Sequence, residues 1–283
     1  MSRPLVVFSD LDGCLLDRET YDDAAARPAL ERLAREGIPL VLCSSKTRAE
    51  VEVHRARLGL PDPFIVENGG AIVIPEGYFP APPAGTHAAG PYRIVELGVA
   101  YARLTAALRE IAAATGLRLR GFAEMEPAEV AALTGLDLEA ARRAKAREYD
   151  EPFVADLGAA DVERLGREAR ARGLTLTQGG RLYHLTGGAT KGAAVELLTD
   201  LYRSLSPEVA TAGLGDGAND LPMLEVVDHP IVIPRAEGDV DPAFRDRPWP
   251  RARRPGPRGW NEAVLGLLGD GARTRMPWRK TAS

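Results

Sequence analysis

Two carboxylates, Asp10 and Asp12, close a short apolar run, VVFSDLDG, and Gly13 ends it. Side chains two apart on a strand face the same way, so this spacing crowds like charges. A cation, or a proton held by one of the two, relieves that cost. Further along stand other polar groups of the same kind: Ser44 and Ser45 after LVLC, Glu67-Asn68 after PFIV, and GDGAND (215–220) after ATAGL. Lys191 opens a helical stretch. Carboxylate oxygens with a hydroxyl, a lysine and tight glycine turns form a hard donor set that suits Mg²⁺ together with a phosphate group.

The elements that must bring these residues together are legible in the periodicity. Strands PLVVFSD and IPLVLCSS alternate with helical stretches AARPALERLAREG and TRAEVEVHRARLGL, followed by a strand, a turn at Asn68-Gly69-Gly70 and another strand. This alternation predicts βαβ units and a mostly parallel sheet. In such sheets ligands bind beyond the carboxyl ends of the strands, where the polar groups fall. The Pro/Gly-rich segment PEGYFPAPPAGTHAAGP has no period and reads as a break. Beyond it, strands YRIVELG, EPFVAD, LTLTQGG and RLYHLTGG cluster around two or three helices, an α+β arrangement. The α/β pattern returns at TKGAAVELLTDLYRSL. The expected organisation is a discontinuous core, 1–85 with 187–268, an inserted domain over 86–186, and a frayed tail, 269–283.

With 283 residues, 45% hydrophobic and 27% charged, the chain has globular composition and room for two domains. A net charge of −4 argues against nucleic acid as a partner. No apolar run reaches the roughly 20 residues of a membrane span. The N-terminal apolar stretch is too short for a signal peptide, and Cys14 and Cys43 read as free thiols of a reducing compartment. The expectation is a soluble, cytoplasmic protein acting on a small molecule. A homodimer is compatible with the sequence but not demanded by it.

In order, DLDG, a serine after the second strand, a lysine opening a helix, and GDGAND resemble the four motifs of the haloacid-dehalogenase-superfamily phosphatases. The resemblance implies an α/β fold, a Rossmann-like parallel-sheet core carrying an inserted α+β cap domain of type 2B. REYDEPF (147–153), QGGRLYH (178–184) and GGATKG bring it closest to the mannosyl-3-phosphoglycerate phosphatase family. On that resemblance Asp10 is the nucleophile, taking the phosphoryl group as an aspartyl phosphate. Asp12 is the acid and then the base. Mg²⁺ is held by Asp10, the Asp12 backbone carbonyl and Asp216, with Asn219 and Asp220 orienting Lys191 or the metal's waters. Ser44 and Lys191 hold the phosphoryl oxygens. Ser45, Lys46 and Asn68 are adjacent candidates for substrate contact. In the cap, Arg147, Glu148, Asp150, Glu151, Gln178, Gly179, Gly180, Arg181 and His184 supply groups for a carboxylate and sugar hydroxyls.

Plainer readings compete. A lone D-x-D is more often a turn or helix cap. DLDG is not a calcium loop, because Cys14 and Leu15 stand where an oxygen ligand and glycine belong. The glycines of GLGDGAND are misspaced for a dinucleotide fingerprint, and GGATKG lacks the G-K-[ST] ending of a P-loop. Glu67 and Asn68 read as a turn before Gly69, and the cap residues as a polar sheet edge and hairpin. His54, His87 and His229 lack partners at metal-ligand spacing. The expected reaction is hydrolysis of 2-O-mannosyl-3-phosphoglycerate to mannosylglycerate and phosphate, with the glucosyl analogue also accepted. Rival expectations are a broader sugar-phosphate phosphatase, including a sucrose-phosphatase type, a phosphomutase, and a phosphate-binding module without turnover.

Overall fold

A computed structural model describes residues 3–179 and 182–269. In chain order the core begins with β1 (Leu5–Ser9), α1 (Arg27–Glu36), β2 (Leu40–Cys43), α2 (Arg48–Leu58), β3 (Phe64–Val66) and β4 (Ala71–Pro75). Next come β5 (His87–Ala89), β6 (Tyr92–Glu96), α3 (Tyr101–Thr115), β7 (Arg120–Gly121), α4 (Pro127–Thr134), α5 (Leu138–Ala144) and β8 (Asp150–Val154). The chain continues with α6 (Ala159–Ala171), β9 (Thr175–Gly179), β10 (Leu182–Thr186) and α7 (Lys191–Leu205), and closes with β11 (Ala210–Gly215), α8 (Leu221–Val226), β12 (His229–Val232) and α9 (Gly256–Leu268).

The strands form an eight-stranded sheet, β12-β11-β1-β2-β3-β4-β6-β5, and a four-stranded one, β7-β8-β10-β9. From β12 to β3 the pairing is parallel; β4, β6 and β5 add antiparallel. Strand β1 shows why the parallel strands read as continuous apolar runs. Leu5 and Val7 face one hydrophobic cluster, with α1 and Trp260 of α9, while Val6 and Phe8 face the other, with Tyr202 and Leu198 of α7. A strand buried on both faces has no polar side to alternate. The architecture is α/β. Among the described residues, no helix is long and apolar enough to cross a membrane.

Two features differ from expectation. YRIVELG does not join the later strands: β6 pairs antiparallel with β4 over Ala71–Pro75 and extends the large sheet. The segment read as a structureless break also contains β5, which pairs with β6. Three residues on a sheet edge are too short to display a period, and they gain regularity only from the backbone of β6. The four-stranded sheet buries Phe153, Tyr183 and Leu185 against Leu104 and Ile111 of α3 and Leu165 of α6. Its other side carries a smaller cluster under α4 and α5, with Phe122, Met125 and Val130. Of the expected tail, 270–283 lie outside the described residues.

Candidate active site

Adjacent parallel strands β1 and β11 end together, which brings Asp10 and Asp216 side by side. The Asp10 amide donates to the Leu214 carbonyl (2.9 Å), and Ser9 Oγ donates to the Asp10 carbonyl (2.7 Å) while accepting from Trp260 Nε1 (2.9 Å). The chain then turns sharply through Gly13, whose φ is 79°; a Cβ there would lie 2.8 Å from Asp216 Oδ2. Only glycine fits both that backbone and that approach.

Lys191 enters as the first residue of α7, behind the Thr190 cap, and is 1% exposed. Its ammonium donates to Asp10 Oδ1 and to Asp220 Oδ1, each at 2.6 Å. Asp220 Oδ2 accepts from the amides of Asp216 (3.0 Å) and Gly217 (3.1 Å), so both Asp220 oxygens are engaged. Gly69, at φ 99°, lets the turn after β3 pack on the start of α7, since a Cβ would sit 2.1 Å from the Thr190 carbonyl oxygen. Asp10, Asp216 and Asp220 each offer an oxygen, all within 4.8 Å of one another, and all three are buried. Three clustered carboxylates and hard oxygen donors fit a divalent cation such as Mg²⁺. Asp220 is occupied by Lys191 and two amides, so Asp10 and Asp216, whose side chains also meet Lys191 and Arg18, are the two that could hold it.

Electrostatics follow from this crowding. Burial pushes the Asp216 and Asp220 carboxyls upward, to about 6 and about 7, and Asp10 adds to both rises. Burial also raises Asp12, opposed by Lys46 and assisted by Asp10. Lys46 Nζ lies 2.8 Å from Asp12 Oδ2 and over the Tyr21 ring, while Asp12 Oδ1 is buried with no hydrogen-bond partner. Arg18, which the sequence did not single out, pairs with Asp216 through its guanidinium. Its position in a loop carries no motif that would have marked it.

The loops after β2 and β3 close the same edge. Ser44 is 1% exposed; its amide donates to the Ile65 carbonyl and its Oγ accepts from the Lys46 amide (3.2 Å). Asn68 Oδ1 accepts from Asn219 Nδ2 (3.1 Å), tying the β3 turn to the β11 loop; Asn219 itself is exposed and outside the aspartate group.

The second sheet reaches this edge through Arg147. Its guanidinium donates to the Ser45 carbonyl (3.0 Å) and to Asp150 Oδ2 (3.4 Å), which also meets His184 Nδ1 (2.9 Å). Asp150 Oδ1 is buried and has no hydrogen-bond partner. Glu148 pairs with Arg48 at 3.1 Å. Glu151 and Gln178 do not join them. Glu151 shares the face of Leu185 under α3 and α6, and its Oε1 accepts from the Ala123 amide (3.1 Å) while burial raises its carboxyl. Gln178 is paired across the strands with Tyr183, on the face opposite His184, and is exposed. The period of two on β10 explains the split: Tyr183 and Leu185 pack under the helices, so His184 points the other way. Gly179 ends β9, and Gly180 and Arg181 lie outside the described residues.

His54 on α2 provides a test of local burial. Desolvation pushes its imidazole down to about 4, with Lys46 and Arg57 pressing the same way. The folded value lies below the unfolded 6.5, so the stability tied to this neutral ring is complete above pH 6.5 and lost as pH falls through 4. His54→Phe is expected to flatten the Tm profile across that window. A Tm curve that keeps its acid slope in the variant refutes the assignment.

A haloacid dehalogenase-like hydrolase is the class that this fold and edge define, and the family model of that description matches residues 7–79. A protein of Methanococcoides burtonii, named glucosyl-3-phosphoglycerate/mannosyl-3-phosphoglycerate phosphatase, is 42% identical over 264 residues, 93% of this chain and 97% of its own. A mannosyl-3-phosphoglycerate phosphatase of Pyrococcus furiosus is 40% identical, over 81% of this chain and 90% of its own. A solved phosphatase of the superfamily from Bacteroides thetaiotaomicron superimposes with a TM-score of 0.66 at 18% identity, covering 94% of this chain and 95% of that one. The chain belongs to the mannosyl-3-phosphoglycerate phosphatase family, phosphoric monoester hydrolases of the haloacid dehalogenase superfamily.

Proposed function

We propose that the protein hydrolyses 2-O-mannosyl-3-phosphoglycerate, and its glucosyl analogue, to the glycosylglycerate and phosphate through a phosphorylated Asp10. The observation that carries this reading is the convergence of Asp10, Asp216 and Lys191 at the end of β1. Mg²⁺ held by Asp10 and Asp216 would neutralise phosphoryl charge, as a hard divalent cation does in phosphoryl transfer. An Asp10 oxygen attacks phosphorus and the bond to the glycerate oxygen breaks. Asp12, its carboxyl raised by burial, gives that leaving oxygen a proton. It then takes a proton from the water that attacks the aspartyl phosphate, releasing phosphate and restoring Asp10. Lys191 and the Ser44 hydroxyl hold phosphoryl oxygens, and Asp220 keeps Lys191 in place.

The four-stranded sheet with its helices acts as the cap in this reading. Arg147 is its natural contact for the glycerate carboxylate, because a guanidinium matches a carboxylate in two-point geometry. Asp150, with His184, is suited to sugar hydroxyls. The Methanococcoides burtonii relative is named for both sugars, which supports acceptance of either. Two buried free thiols, Cys14 and Cys43, support a reducing, cytoplasmic setting.

The test is phosphate release with Mg²⁺ from mannosyl- and glucosyl-3-phosphoglycerate, 3-phosphoglycerate, mannose 6-phosphate and sucrose 6-phosphate. The two glycosyl-3-phosphoglycerates are expected to lead in kcat/KM by at least about 100-fold, a difference of roughly 2.7 kcal/mol in transition-state binding. Chelation of the metal is expected to stop turnover on all of them. Flat activity across the panel overturns the substrate assignment and leaves the chemistry standing.

A further inference from the structure

Three consecutive residues after β3, Glu67, Asn68 and Gly69, have φ values of 48°, 57° and 99°. Glycine accepts that backbone readily. A glutamate there is strained, and such conformations persist where surrounding contacts over-determine them. The contacts are made by its carboxylate, which lies in a residue only 2% exposed and accepts from two backbone amides, Glu148 and Tyr149, each at 2.9 Å.

Those amides belong to the segment between α5 and β8, the one that carries Arg147 and leads into Asp150. The segment is docked on the core at several points. The Tyr149 ring lies against Gly70 and Gly98, where an added Cβ would approach Tyr149 Cβ to 2.5 and 2.8 Å, and its hydroxyl donates to Glu96 (2.8 Å). Just before the segment, Thr47 Oγ1 donates to the carbonyl of Arg143 in α5 (2.9 Å). On the core side, the Glu67 amide donates to the Lys46 carbonyl and the Asn68 amide to the Ser44 carbonyl, both at 3.0 Å. One strained turn therefore touches the loop of Ser44, the loop of Asn219 and the backbone beside Arg147.

We propose that Glu67 is a positioning residue whose carboxylate holds the segment 147–150 against the core, so that Arg147 and Asp150 meet the part of the substrate beyond its phosphate. This deepens the proposed function and rests on it for the substrate. Nothing in the chemistry at phosphorus requires Glu67, which separates its role from that of Asp10, Asp12 or Lys191.

The experiment compares wild type, Glu67→Gln and Glu67→Ala on mannosyl-3-phosphoglycerate and on p-nitrophenyl phosphate, with hydrogen exchange followed at the Glu148 and Tyr149 amides. Alanine removes both acceptors; glutamine keeps one and, being isosteric, carries the test if the alanine variant does not fold. KM for mannosyl-3-phosphoglycerate is expected to rise about tenfold in the alanine variant and less in the glutamine one, consistent with two modest hydrogen bonds lost. kcat and both constants for p-nitrophenyl phosphate are expected to stay within about threefold, and the two amides to lose protection. A parallel loss on both substrates, or an unchanged KM, overturns the proposal. If wild type does not favour the glycosyl substrate over p-nitrophenyl phosphate, the substrate reading fails. Exchange then decides the role of Glu67: retained protection in the variants overturns it, and lost protection upholds it.

Discussion

Asp10→Asn is expected to lower phosphate release by at least about 10⁴-fold while leaving the fold intact, the size of loss seen when a covalent nucleophile is removed. The amide matches the carboxylate in shape and its oxygen still accepts from Lys191. What disappears is one oxygen, the nucleophile of the proposed mechanism, and one negative charge. That charge presently raises the Asp216 and Asp220 carboxyls. Its removal therefore relaxes the cluster, and Tm of the metal-free variant is expected to equal or exceed that of wild type. Turnover falls while Tm does not, a combination that unfolding cannot imitate. Residual turnover above about 1% would falsify the nucleophile assignment, because an electrostatic or merely structural aspartate leaves more activity than a lost covalent step.

Lys191→Met is expected to damage both stability and turnover. The lysine side chain is fully buried between two carboxylates, at 2.6 Å from each. Removing one partner of a buried ion pair leaves uncompensated charge, with a loss of about 3–5 kcal/mol. For a chain of this size that corresponds to a fall in Tm on the order of 10 °C. Turnover is expected to drop by roughly 10²–10³-fold if Lys191 holds a phosphoryl oxygen as proposed. The second substitution Asp220→Asn separates the two effects. In Lys191→Met/Asp220→Asn, one orphaned charge is gone, so much of the stability is expected to return while activity does not. A double mutant no more stable than Lys191→Met shows that Asp220 is not held by that charge, and the coupling is wrong.

Spacing along the chain was informative wherever the constraint was local. The D-x-D pair, the lysine at a helix start and the glycine-flanked Asp216 each sit at an element end, and strand and helix periods locate such ends without knowledge of the fold. The edge strand β5 escaped because it is three residues long and ordered by β6. Membership of β6 in the large sheet escaped for a related reason: YRIVELG states that a strand exists, not which edge accepts its hydrogen bonds. Gln178 and Glu151 were grouped with His184 and Asp150 through the motifs REYDEPF and QGGRLYH that carry the resemblance. The alternation of side chains places them on the other face, and only the burial of Tyr183, Leu185 and Phe153 under α3 and α6 says which face that is.

By itself, then, the sequence determined the kind of residues at the candidate reacting centre, their order, and the α/β alternation that carries them to strand ends. The tertiary structure decided which groups meet. Lys191 joins Asp10 across 181 positions, Asn219 reaches Asn68 across 151, and Glu67 grips amides 81 and 82 positions away. No period of 2 or 3.6 residues spans such distances. These pairings exist because strands end at one edge, where the buried carboxylates among them must find donors, a condition satisfied in three dimensions and nowhere written along one.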